Sequence, residues 1–274
     1  MRKFKSLTRA AILLLASILL GGPAAADQLV IKGSTTVLPI SQAVSEAFMN
    51  DTGIAISLSG GGSGNGIKAM LDGTTDIAMA SRFIKDKEVQ RACGKGVHPV
   101  PFRIALDCIV PVVHPKNKVD DLSTDQLKKI YQGKITNWKE VGGRNGQIVV
   151  LSRDSSSGTF EVWGDIVLEG ERVSPRASTV ASNGAAVATV SKTRGAIAYI
   201  GLAYLNDSLK QVKVNGVMGS EGTTQSDQYP VSRPLYMFTN SWPEGNSLKF
   251  INYLFSARGQ KLVQEAGSIP IFTP

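Results

Sequence analysis

Histidine and cysteine are scarce in this chain, with two of each among 274 residues. His98 and His114 are each followed by proline, and no His or Cys spacing resembles a zinc site, so no metal centre is expected. The Gly-x-Ser-x-Gly elbow of serine hydrolases is missing, the only histidines sit beside prolines, and paired carboxylates are not evident. Basic residues outnumber acidic ones by 30 to 22 but form no dense run, a poor signature for nucleic-acid binding. Beyond the N-terminus no apolar stretch approaches the roughly 18 residues of a membrane span. What remains is a composition suited to holding a small molecule without transforming it.

The N-terminus reads as a cleavable secretory signal over residues 1–26. Arg2, Lys3, Lys5 and Arg9 precede an apolar core at 10–20, and Pro23-Ala24-Ala25-Ala26 supplies small residues before Asp27. That core is too short to span a bilayer comfortably, and no cysteine follows it to carry a lipid. A soluble, monomeric chain exported to the periplasm is therefore expected. Losing those four basic side chains lowers the formal charge from +8 to +4, a mild excess compatible with a protein that handles small anions. In an oxidising compartment Cys93 and Cys108 are a candidate disulfide, the alternative being two buried free thiols.

Strand-like and helix-like segments alternate. Strands are expected near 28–32, 54–58, 76–80, 148–151 and 196–200. Helices are expected at 37–48, 67–71, 86–91, 123–131, 159–167, 183–190, 245–256 and 259–267. That alternation predicts an α/β fold with parallel sheets. Two long extended runs, 97–113 and 234–239, suit crossings between lobes, which assigns 27–103 and 236–274 to a first lobe and 104–235 to a second.

Four expected strand ends carry the same chemistry: Gly33-Ser34-Thr35-Thr36, the glycine-rich run 60–66 with Ser63 inside it, Ser81-Arg82, and Arg153-Asp154-Ser155-Ser156-Ser157-Gly158-Thr159. Three of them lead directly into a helix, whose first amides lack intrahelical partners and carry the positive end of the helix dipole. Arg153 offers a planar fork that matches a tetrahedral oxyanion. The serines and threonines offer short donors, and Gly158 allows close backbone approach. Ordinary N-capping would use the same residue types, and Asn183 before its helix reads as such a cap. In open α/β sheets ligands gather at the carboxyl ends of strands, which favours one shared anion site.

The run Ser34-Thr35-Thr36-Val37-Leu38-Pro39, the loop at 60–68, Ala80-Ser81-Arg82 and the stretch 153–159 resemble, in order and spacing, the periplasmic phosphate-binding proteins of bacterial phosphate ABC transporters. The resemblance spans essentially the whole mature chain. It implies a two-lobe type II periplasmic-binding-protein fold, with a ligand cleft between lobes joined by two extended crossings. It further implies capture of inorganic phosphate by cleft closure and delivery to a transmembrane permease, with no catalysis and no cofactor. Thr35, Thr36, Ser63, Ser81, Arg82, Arg153, Ser157, Gly158 and Thr159 would then be the phosphate ligands. Arg82 stands where many relatives carry an aspartate that accepts the proton of hydrogen phosphate, and it would either contact the ligand or pair with a carboxylate at the cleft rim. Ser155 stands where an aspartate often braces the arginine, a task that falls to Asp154 if it points inward. A receptor for sulfate, arsenate or molybdate and a serine-dependent hydrolase are the alternatives these residues leave open.

Overall fold

The computed structural model describes residues 28–272, so the expected signal segment lies outside the described residues. The chain begins with β1 (Leu29–Gly33), α1 (Leu38–Thr52), β2 (Ile56–Gly60), α2 (Ser63–Leu71), β3 (Ile77–Ala80) and α3 (Asp86–Gly94). The long strand β4 (Pro99–Val113) then carries it across to β5 (Asp121–Leu122), α4 (Thr124–Tyr131), β6 (Val149–Arg153), α5 (Gly158–Ile166), β7 (Ser178–Val180), α6 (Asn183–Val190) and β8 (Ala196–Gly201). After β9 (Lys210–Gln211), β10 (Lys213–Val214) and α7 (Glu221–Gln225), β11 (Ser232–Asn240) returns it to α8 (Gly245–Phe255) and α9 (Ala257–Glu265).

The strands lie in the order β2-β1-β3-β11-β4-β8-β6-β7. β1 is parallel to β2 and β3, β6 is parallel to β7 and β8, and β4 and β11 pair antiparallel between these groups. Both extended runs of the sequence are thus strands, and each crosses once between the two halves. Of three sets of buried side chains, the two largest mark those halves. Ile31, Val44, Phe48, Ile104, Ala105 and Leu235 belong to the first set, and the second runs from Cys108 to Val231 around Tyr131, Trp163 and Tyr199. Trp163 stacks on Tyr199 with ring centres 4.6 Å apart, giving the second lobe a rigid aromatic floor directly under β6.

The helix α2 starts earlier than its sequence suggests. Ser63, Gly64, Asn65 and Gly66 form its first turn rather than a loop. Tertiary packing overrides the poor helix propensity of glycine here: a Cβ on Gly66 would stand 2.6 Å from the Gly33 Cα and 2.7 Å from the Lys32 carbonyl oxygen. Only a bare backbone lets α2 lie so close to β1, and this closeness sets Ser63 at the sheet's carboxyl edge.

The expected disulfide is not formed. Cys93 is exposed on α3, Cys108 is buried in β4 within the second lobe, and both are free thiols. Their separation along the chain says nothing of this, because one faces solvent and the other the core of the opposite lobe. Burial, helped by the adjacent Asp107 charge, pushes the Cys108 thiol up to about 12. A thiol-specific reagent should therefore label Cys93 alone in the native protein, and both cysteines after denaturation without reductant. Two unreactive cysteines in the denatured, unreduced chain would restore the disulfide.

Candidate functional site

The carboxyl ends of β1, β3 and β6 and the starts of α1, α2 and α5 converge at the junction of the lobes. Thr35, Thr36, Ser63, Ser81, Arg153, Ser157 and Thr159 are all buried, none more than 6% exposed. Hydroxyls from opposite lobes touch: Thr36 Oγ1 lies 3.0 Å from Thr159 Oγ1. Ser63 Oγ lies 3.2 Å from Ser81 Oγ and accepts the Ser81 amide at 3.0 Å. Gly158 fits against this pair because it lacks a side chain; a Cβ there would stand 2.4 Å from Ser63 Oγ and 2.7 Å from Ser81 Oγ. Ser157 caps α5, its Oγ accepting the Phe160 amide at 3.2 Å, and the hydroxyl keeps a hydrogen to donate.

Arg153 ends β6 and is 3% exposed. Its Nε donates to the Val180 carbonyl and Nη2 to the Ala181 carbonyl, both at 3.1 Å, and Nη2 also reaches Thr35 Oγ1 of the other lobe at 3.3 Å. Its backbone amide donates to Tyr199 Oη, so the aromatic floor fixes the strand end as well. Nη1 is buried and has no hydrogen-bond partner among the described residues. Carbonyls at the end of β7, not a carboxylate, brace the guanidinium. Asp154 instead braces its own turn, Oδ1 accepting from the Ser156 amide at 2.9 Å and from Ser156 Oγ at 2.5 Å. Burial lowers the Arg153 pKa from its ordinary value, opposed chiefly by the nearby Asp154 charge.

Three further residues join the cluster that the strand-end motifs do not include. Arg233 in β11 is 4% exposed, and its Nη2 donates to Thr36 Oγ1 at 3.3 Å and Thr159 Oγ1 at 3.0 Å, one hydroxyl from each lobe. Its Nη1 donates to the Ser81 carbonyl at 3.1 Å, while Nε and Nη2 hold Asp107 Oδ2 at 3.0 and 2.9 Å. Asp107 lies opposite Arg233 in the β4–β11 register, and its Oδ1 accepts the Leu202 amide at 3.0 Å. Burial works against both charges of this pair, raising the Asp107 pKa and lowering that of Arg233, and their mutual attraction offsets part of the cost. Asn183 is the third: Nδ2 donates to Thr35 Oγ1 at 3.2 Å and to Thr36 Oγ1 at 3.1 Å. It is not the helix cap, a role held by Ser182, whose side chain accepts the Ala185 amide at 3.0 Å. The pairing of Arg233 with Asp107 depends on the register of two strands far apart in the chain, which local sequence does not show.

Arg82 does not join these hydroxyls. Its two terminal nitrogens grip Glu88 at 2.8 Å each, and Nε lies 2.6 Å from Glu161 Oε2 on α5. Of the two roles open to Arg82 in the sequence, pairing with carboxylates is the one observed. Ser155 is exposed and has no part in the cluster.

The buried charges at the centre, Arg153, Arg233 and Asp107, leave one positive charge in excess. Around them stand hydroxyls and an amide, with no histidine in the hydrogen-bonded set. Such an arrangement can bind a compact anion through many donors.

A family model described as the PBP superfamily domain matches residues 21–258. The phosphate-binding protein PstS of Bacillus subtilis (strain 168) is 32% identical over 254 residues, covering 92% of this chain and 83% of that protein. A Clostridium perfringens protein described as a phosphate ABC transporter substrate-binding protein, solved with bound phosphate, superposes with a TM-score of 0.84 at 34% identity, over 90% of this chain and all of that one. An ABC-type phosphate transport receptor from Vibrio cholerae superposes with a TM-score of 0.71 at 30% identity, over 88% of this chain and 99% of that one. The lobes, their two crossing strands and the site between them are those of the two-lobe type II binding-protein fold, and the chain belongs to the PBP superfamily and, within it, to the PstS phosphate-binding proteins.

Proposed function

We propose that this protein captures inorganic phosphate between its lobes and delivers it to the permease of an ABC transporter, acting outside the cytoplasmic membrane as an exported monomer. The observation that carries this reading is Nη1 of Arg153, buried and without a hydrogen-bond partner among the described residues, on a guanidinium whose Nη2 already reaches Thr35 Oγ1 of the other lobe. A buried guanidinium with an unused donor is costly alone and favourable beside an anion. Thr35, Thr36, Ser63, Ser81, Ser157 and Thr159 furnish donors, Gly158 furnishes room, and Arg233 adds a second positive charge held in place by Asp107. The relatives that match over most of the chain are phosphate-binding and phosphate-transport proteins, which supports the ligand and the transporter partner. Lobes made of 27–103 with 236–274, and of 104–235, move about β4 and β11 in this reading. No covalent step is required of any residue.

Calorimetry of the mature protein against phosphate tests the ligand directly; no heat and no thermal shift at millimolar phosphate would overturn it. Arg153→Ala should weaken binding by roughly tenfold to a hundredfold, as expected for loss of a charged hydrogen-bond partner worth about 1.5–3 kcal/mol. Unchanged affinity in that variant would remove Arg153 from the site. Gly158→Ala should act differently. Its added methyl group collides with Ser63 and Ser81 only when the lobes are together, so phosphate affinity should fall at least tenfold while the ligand-free melting temperature holds or rises.

A further inference from the structure

Four charged side chains stand beside the hydroxyl cluster and are not part of it: Arg82, Lys85, Glu88 and Glu161. Arg82 and Lys85 lie between β3 and α3 of the first lobe, Glu88 lies in the first turn of α3, and Glu161 lies in the first turn of α5 in the second. Glu88 takes both terminal nitrogens of Arg82 at 2.8 Å, and the Arg82 Nη1 also donates to the Phe83 carbonyl at 2.8 Å. Those contacts are all within one lobe. The remaining nitrogen of Arg82 and the Lys85 Nζ each lie 2.6 Å from the same oxygen, Glu161 Oε2, across the lobe junction. The Arg82–Glu161 contact is an ion pair whose N–H and oxygen are not well aligned as a hydrogen bond. Arg82 is 7% exposed and Glu161 13%, so water screens their attraction poorly. Lys85, 39% exposed, marks the solvent edge of the set.

We propose that Glu161 is a latch residue whose ion contacts with Arg82 and Lys85 prolong the closed, phosphate-holding state; this rests on the phosphate-capture reading above. Glu88 fixes the Arg82 fork before the lobes meet, so closure immobilises little beyond the Glu161 side chain. Burial acts against the Glu88 carboxylate, yet the Arg82 hydrogen bonds and the Lys85 amide outweigh it and lower its pKa, so this brace stays charged at neutral pH. Opening of the lobes would separate Glu161 from both cations while leaving Arg82 and Glu88 paired. The contacts therefore favour only the closed arrangement, and an interaction present in one of two states shifts the balance by its full differential strength. Since Glu161 sits outside the hydroxyl cluster, it acts on phosphate as a positioning residue and not as a ligand.

Glu161→Gln keeps the shape of the side chain and removes its charge. Stopped-flow release of phosphate from this variant should be about fivefold to twentyfold faster than from the parent, with the association rate little changed and the ligand-free melting temperature preserved. Lys85→Gln should speed release by a smaller factor, and adding it to Glu161→Gln should have no further effect, because both act through the Glu161 charge. Release from Glu161→Gln at the parental rate would overturn the latch while leaving phosphate capture intact. So would a fall in affinity carried by slower association. Failure of the parent protein to bind phosphate at all would instead overturn the reading on which the latch rests.

Discussion

A guanidinium buried without a carboxylate partner is the constraint around which this molecule is arranged. Arg153 is held by two main-chain carbonyls, which orient its fork but carry no formal charge to neutralise it. Those carbonyls belong to the last residue of β7 and the one that follows it, and both are placed by the parallel β6–β7 register that sets Arg153 opposite Val180. Tyr199 in β8 receives the Arg153 amide and is itself stacked on Trp163. The second lobe's core thus keeps a cation at a strand end where, in isolation, desolvation would drive it outward. A structure that maintains such a charge is organised for something negative to meet it.

The hinge contributes to the same electrostatics. β4 and β11 cross between the lobes side by side, and their register sets Asp107 against Arg233 at the point of crossing. Arg233 reaches one hydroxyl from each lobe, and Asp107 reaches the backbone after β8. A movement of either lobe changes the surroundings of a buried ion pair, where misplacement is costly. This couples lobe position to the charge at the centre of the site more tightly than two passive linkers could.

Much of this arrangement is legible in the residues themselves. The strand-end motifs combine glycines and hydroxyls with helix starts, a local chemistry that sequence shows directly, and Thr35, Thr36, Ser63, Ser81, Ser157 and Thr159 are buried at one junction while Ser155 of the same motifs is exposed. Arg233 and Asn183 were not legible as site residues. Arg233 lies just before the extended run expected at 234–239, and its role depends on a long-range strand pairing. Asn183 looks like a helix cap because its neighbours are small, whereas Ser182 caps and frees the amide to point inward. Local signals also misled at α2, where the glycine run 60–66 reads as a loop although packing against β1 imposes a helix from Ser63. For Cys93 and Cys108 an even count could not reveal that the two thiols belong to different lobes.

Contacts that hold the lobes together fall into two kinds, and the difference bears on how binding and closure are linked. Thr36 with Thr159, and Arg153 with Thr35, are contacts among groups that could each serve an anion instead. An anion placed among them would exchange neutral bonds for charge-assisted ones, so its binding would strengthen the junction. The Glu161 contacts with Arg82 and Lys85 involve groups already neutralised by one another, which have little to offer a ligand. Closure driven by the first kind alone would be governed by the ligand's own bonds, and release would require breaking only those. Adding the second kind makes opening cost more without demanding tighter ligand contacts, so the lifetime of the closed state can be set separately from the chemistry of recognition.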